Sequence, residues 1–160
     1  MLQSSYVEKA TMTPAADAPE NGARALAGLL SGAIVFPTGL LGFAHCRRFT
    51  LSRFAPADGH ESPFLVLSCL DQELSFLVIQ PELVAADYQV PCFPELLKSL
   101  GADTAAELLT LLIVTVRERI EDITVNLQGP LIVSTGSRVG IQLVLEEFPL
   151  RHPLVCPPSP

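Results

Sequence analysis

Tryptophan is absent from this chain, tyrosine occurs only as Tyr6 and Tyr88, and cations are scarce, with ten Lys and Arg against seventeen Asp and Glu. The first two shortages mean that any core is built from Leu, Val, Ile and Phe. The third, a net charge of −7, excludes binding to nucleic acid, because gripping phosphates requires clustered Lys and Arg. It excludes attraction to anionic membrane surfaces for the same reason. No C-x-x-C pair occurs among Cys46, Cys69, Cys92 and Cys156, which argues against a zinc knuckle. No basic leader followed by an apolar run opens the sequence MLQSSYVEKA. The cysteines are therefore read as reduced and mostly buried, and the protein as cytoplasmic.

Catalytic groupings are missing as well. There is no G-x-S-x-G, no phosphate-binding loop and no H-E-x-x-H. His45 adjoins Cys46, but neighbours along an extended chain point to opposite faces and do not make a nucleophile–base pair. The adjacent acids Glu121-Asp122 and Glu146-Glu147 diverge in the same way. The sequence offers no enzyme chemistry, no cofactor site and no metal site. One uncharged stretch, residues 26–44, has nearly the length of a membrane span. It carries four glycines and a proline within nineteen residues, and such a segment is a poor helix.

What is present is segregated charge. Residues 71–122 hold ten acids and three bases, a balance of −7, while the segments before and after are neutral. Segregated charge can select a partner by sign; it can equally be a solvated face that keeps the domain soluble. The acidic contact candidates are Asp71, Glu73, Asp87, Glu118, Glu121 and Asp122. Tyr88 sits in the proline-broken acidic stretch, where it is either an aromatic interface anchor or a half-buried loop plug. Asn126 either presents its amide to a partner or closes a turn on the backbone.

Nearly half the residues are apolar, enough for one folded domain. Residues 1–32, rich in Ala, Pro, Gly, Ser and Thr, read as a disordered arm whose removal leaves stability nearly unchanged. Only a turn or two of helix is expected, around 23–30. The folded domain is placed at 33–154, and the proline-rich residues 155–160 read as a tail. Strands are expected near 34–36, 49–54, 64–70, 74–80, 108–116, 123–127, 131–135 and 139–145, separated by turns such as Asp71-Gln72-Glu73 and Gly136-Ser137-Arg138. Residues 94–100 are expected to form a helical turn stopped by Gly101. The segment from Pro149 onward is read as extended or disordered. This pattern predicts an all-β fold, a small antiparallel β-barrel of short strands with one or two helical turns.

In order along the chain, FPTGLLGF (36–43), RRFTL (47–51), PFLVLSCLDQELSFLVIQP (63–81), ADY (86–88), LLIVTV (111–116), ITVNLQGPLIVST (123–135) and PLRHPL (149–154) resemble the flagellar assembly factor family FliW. Leu41 stands where the family turn has proline, and Gln128 where it has lysine. The resemblance implies a non-catalytic cytoplasmic β-barrel, monomeric when free. It further implies that flagellin and the RNA-binding regulator CsrA are the partners. On this expectation the protein antagonises CsrA by direct contact and couples flagellin level to flagellin translation. Two other readings stand beside it: a structural β-barrel subunit of a larger assembly, and an enzyme of unrecognised type.

Overall fold

A computed structural model of the protein describes residues 18–154. It contains one helix before the sheet, α1 (Ala18–Leu29), and nine strands: β1 (Ala33–Val35), β2 (Arg48–Arg53), β3 (Leu65–Cys69), β4 (Ser75–Ile79), β5 (Leu108–Thr115), β6 (Thr124–Val125), β7 (Leu131–Ser134), β8 (Gly140–Gln142) and β9 (His152–Pro153). A second helix, α2 (Pro94–Leu100), lies in the long connection between β4 and β5. Proline starts it and Gly101, in the left-handed region at φ 65°, ends it.

Every named strand pair is antiparallel, in the order β1-β2-β3-β4-β5-β6-β9, with β7 and β8 leaving the path at β5. The all-β class expected from the turn spacing is what the chain adopts. The expected closure is not: the sheet is not a true barrel. Only an isolated parallel bridge, Val35 to Val139, spans the gap between β1 and β8. The branch at β5 explains this. One edge of β5 pairs first with β7 (Leu108↔Ser134 to Leu111↔Leu131) and then with β6 (Val114↔Val125). The chain must therefore bulge between β6 and β7. Asn126 holds that bulge, its Oδ1 accepting the N–H groups of Gln128 at 3.0 Å and Gly129 at 2.9 Å.

The strands that are apolar on both faces are so because both faces of β5 are covered. Leu109 and Leu111 join Ile34, Phe36, Phe49, Leu51, Leu65 and Leu67 in the main core. Leu112 and Val114 point the other way, into a second layer with Ile79, Val125 and Leu127. A third cluster holds α2 through Leu96 and Leu100, packed with Ile132 and Leu143.

Two expectations need correction. The domain does not begin at Ala33. Leu26 and Leu29, three apart and so on one helix face, are 6% and 0% exposed and belong to the main core. Arg138 clamps the end of α1, donating to the carbonyl oxygens of Gly28 (2.7 Å), Leu29 (3.1 Å), Gly32 (2.9 Å) and Ala33 (2.8 Å). Residues 1–17 and the tail 155–160 lie outside the described residues. The second correction concerns the disordered alternative for the segment from Pro149: it is extended, and His152–Pro153, inside the expected 33–154 domain, pair with β6 as β9. Proline is tolerated there because β9 is an edge strand. Among the described residues no helix is long and apolar enough to cross a membrane.

Candidate functional site

The register sorts the connections into two ends. β1 stops at Val35 opposite Arg48, β3 stops at Cys69 near Ser75, and β5 stops at Thr115 opposite Thr124. The β1–β2 loop, the β3–β4 turn and the β5–β6 connection therefore share one end of the sheet. The β2–β3 loop and the long β4–β5 connection lie at the other.

This divides the predicted contact residues. Asp71, Glu73, Glu118, Glu121 and Asp122 belong to the first end, Asp87 and Tyr88 to the second, and Asn126 to the bulge. The first end is nearly balanced, because Arg47, Arg48, Arg117 and Arg119 offset its five acids. The acidity concentrates in the β4–β5 connection, where Glu82, Asp87, Glu95, Asp103 and Glu107 meet only Lys98. Summing along the chain hides this, since it joins stretches that the fold separates.

Several candidates already have partners. Asp71 Oδ1 accepts from Arg48 at 2.6 and 3.0 Å, and its Oδ2 accepts the backbone N–H groups of Arg48 (3.2 Å) and Arg47 (3.4 Å). The Arg48 hydrogen bond holds the Asp71 carboxyl below the usual carboxylate range and pushes the Arg48 guanidinium up. Asp71 thus ties the β3–β4 turn to the start of β2. Glu121 pairs with Arg119 across two exposed side chains, a contact of little energetic weight. Glu107 closes a capping box, accepting from the N–H groups of Asp103 and Thr104. Glu73, Asp87, Glu118 and Asp122 are exposed.

Tyr88 is half-buried. Its hydroxyl donates to the Leu127 carbonyl at 2.7 Å and its ring lies 4.7 Å from that of Phe148. Burial, with Glu147 adding to it, raises its phenol well above the ordinary value. It pins the acidic connection onto the second core layer.

Charge counting misses what lies at the first end. Of nine exposed large apolar residues among those described, six sit there: Val35, Leu41, Phe43, Leu70, Val116 and Ile120. The β1–β2 loop that carries two of them is firmly built. Gly39, at φ 70°, has no room for a Cβ, which would lie 2.7 Å from the Ala44 backbone. Leu40 and Phe43 bridge each other, the Leu41 N–H donates to Gln142 Oε1 at 2.7 Å, and Phe43 meets Phe76 edge-on at 5.2 Å. Beneath the loop lies a shallow cavity lined by Val35, Ala44, His45, Arg47, Arg48 and Asp71. Nearby, Cys46 and Cys69 are buried free thiols, and burial together with the Cys69 neighbour pushes Cys46 up. Among the described residues no group of three or more His, Cys, Asp or Glu is placed to hold a metal ion.

A family model described as FliW protein matches residues 28–154. The chain belongs to the FliW family. FliW relatives span most of it. The flagellar assembly factor FliW of Natranaerobius thermophilus is 36% identical over 126 residues, covering 76% of this chain and 80% of that protein. That of Carboxydothermus hydrogenoformans is 31% identical, covering 74% and 76%. That of Treponema denticola is 38% identical over 96 residues, covering 59% and 65%. A crystal structure of the flagellar assembly factor FliW superposes with a TM-score of 0.68 at 24% identity, covering 79% of this chain and 88% of that one. This is a likeness of fold. The FliW match begins at Gly28, inside α1, in accord with the core reaching back across Ala33.

Proposed function

We propose that this FliW-family protein is a cytoplasmic, non-catalytic flagellar assembly factor that binds flagellin. In this reading it also binds a CsrA-type RNA-binding regulator and relieves that regulator's repression, so that the flagellin level governs flagellin translation. The observation that carries the reading is the family match across residues 28–154. The relatives are themselves named flagellar assembly factors.

The physical features accord with a protein-binding role. The β4–β5 connection carries five acids against one base, and its exposed acids, Glu82, Asp87, Glu95 and Asp103, suit a basic protein surface approached by electrostatic steering. Tyr88 and α2 anchor that connection on the sheet, so the charges are presented on a fixed support. Co-expression with flagellin tests the reading. The two are expected to co-purify at near-equal ratio. Flagellin in excess that passes unretained over the immobilised protein would sink the reading.

A further inference from the structure

A cation-lined depression lies beside exposed apolar side chains of this acidic chain. His45, Arg47 and Arg48 line it with a single acid, Asp71. Asp71 is already occupied by the Arg48 guanidinium and by two backbone N–H groups. Arg47 is exposed and has no carboxylate partner among the described residues; its Nε only reaches the Ala44 carbonyl, at 3.4 Å. The depression therefore has uncompensated positive charge in a protein of net charge −7. Apolar side chains accompany it: Val35 lines it, Leu70 lies beside it with its N–H donating to the Arg48 carbonyl at 2.8 Å, and Phe43 is exposed in the same loop as Ala44 and His45. The hydrogen bonds of the β1–β2 loop and the Phe43–Phe76 contact hold that loop in place before any partner arrives, which lowers the ordering entropy of binding.

We propose that this end of the sheet is a docking surface for an acidic, apolar protein segment. A carboxylate of the partner pairs with Arg47 in the depression, and its apolar side chains cover Val35, Phe43 and Leu70. The occupant is set by charge complementarity at the depression: Arg47 offers a cation with no carboxylate partner among the described residues, while a basic partner is drawn to the β4–β5 connection at the opposite end. The depression and the β4–β5 connection thus differ in sign, so one chain offers two chemically distinct surfaces. Arginine suits the role because its planar fork takes a carboxylate in two parallel hydrogen bonds.

The test uses two probes on the isotope-labelled full chain. One is purified flagellin, a choice that rests on the flagellar reading. The other is a synthetic peptide in which Asp and Glu alternate with Leu, a choice that does not. Amide resonances of residues 35–48 and 70–71 are expected to shift with the peptide, and with flagellin if flagellin is the partner seated there. Arg47→Glu and Leu70→Asp are each expected to weaken binding by about tenfold, with the melting curve unchanged. Both side chains are exposed, so neither substitution disturbs the core. Peptide shifts at 35–48 with no flagellin binding at all would uphold the surface and overturn the flagellar reading. Flagellin binding that shifts only residues elsewhere, with the peptide silent at 35–48 and both variants binding normally, would overturn the surface and leave the flagellar reading standing. Silence from both probes at 35–48 would overturn it too.

Discussion

Truncating Leu29 to alanine removes a side chain that is fully enclosed in the main core, at the point where α1 meets the sheet. Buried Leu→Ala changes destabilise by about 2–5 kcal/mol, the spread reflecting how far the site can collapse. Arg138 holds the carbonyls of Gly28, Leu29, Gly32 and Ala33, so the helix end cannot easily close over the cavity. A loss of about 3 kcal/mol is therefore expected. In a chain of this size each kcal/mol lowers the melting temperature by roughly 2–4 °C, so a fall of about 6–12 °C should follow. Urea unfolding followed by circular dichroism reads the same loss as a lower midpoint at unchanged slope. Arg24→Ala, on an exposed position of the same helix, is the control and should stay within about 0.5 kcal/mol. Deleting residues 1–31 should also lower the melting temperature, by more than about 5 °C, because it uncovers the apolar floor formed by Ile34, Phe36, Leu109 and Leu131. An unchanged midpoint in both Leu29→Ala and the deletion would refute the packing of α1 and restore a domain that begins near Ala33.

Gly140 faces the Phe36 ring, and a Cβ built there would lie 2.6 Å from it; Gly140→Ala should destabilise by about 1–3 kcal/mol in urea unfolding. Tyr88→Phe leaves the Leu127 carbonyl without its donor and should lower stability by about 1 kcal/mol, with the circular dichroism spectrum retained. The raised Tyr88 phenol means that the native state resists deprotonation. Its contribution is complete below the ordinary tyrosine range and is lost as pH rises beyond it, an alkaline limb that an ultraviolet titration should show and Tyr88→Phe should flatten. The lowered Asp71 carboxyl works in the opposite sense: its contribution is present above the ordinary value of 3.8 and is lost as pH falls below it, so Asp71→Asn should flatten the acid limb of the stability curve. Reversing Glu82, Asp87 and Glu95 to Lys should slow association with a basic partner by about tenfold at low salt, whereas Glu121 and Asp122 reversals, at the balanced end, should matter less.

Local order was legible in the sequence. Alternation placed β2, and apolar runs bounded by turns placed β3 and β4, each within a residue or two, and the turn residues of 71–73 and 136–138 marked both hairpins. Gly101 marked the end of α2. Three features were not legible, each for a physical reason. Residues 18–29 lack a broad apolar stripe, so their helix is stabilised by two leucines and by the distant Arg138, a tertiary effect that no local window contains. β9 is two residues long, includes a proline and exists only because β6 leaves an edge free. The failure to close depends on the bulge at Asn126, where β5 exchanges one neighbour for another. The candidate site fared similarly. The acidic residues were found, but their division between two ends is a matter of register. The apolar and cationic end, built from Val35, Phe43, Arg47 and Leu70, had only one sequence signal: apolar residues in turns, where polar ones are usual.

We propose that this chain releases a CsrA-type RNA-binding regulator when flagellin binds. The most direct measurement loads the full-length protein with fluorescently labelled CsrA and follows the anisotropy as purified flagellin is added. Anisotropy should fall to the value of free CsrA as flagellin reaches equimolar amounts, with a flagellin complex appearing in its place on size exclusion. Anisotropy that stays high while flagellin binds, or the absence of any complex with either protein, would contradict the account.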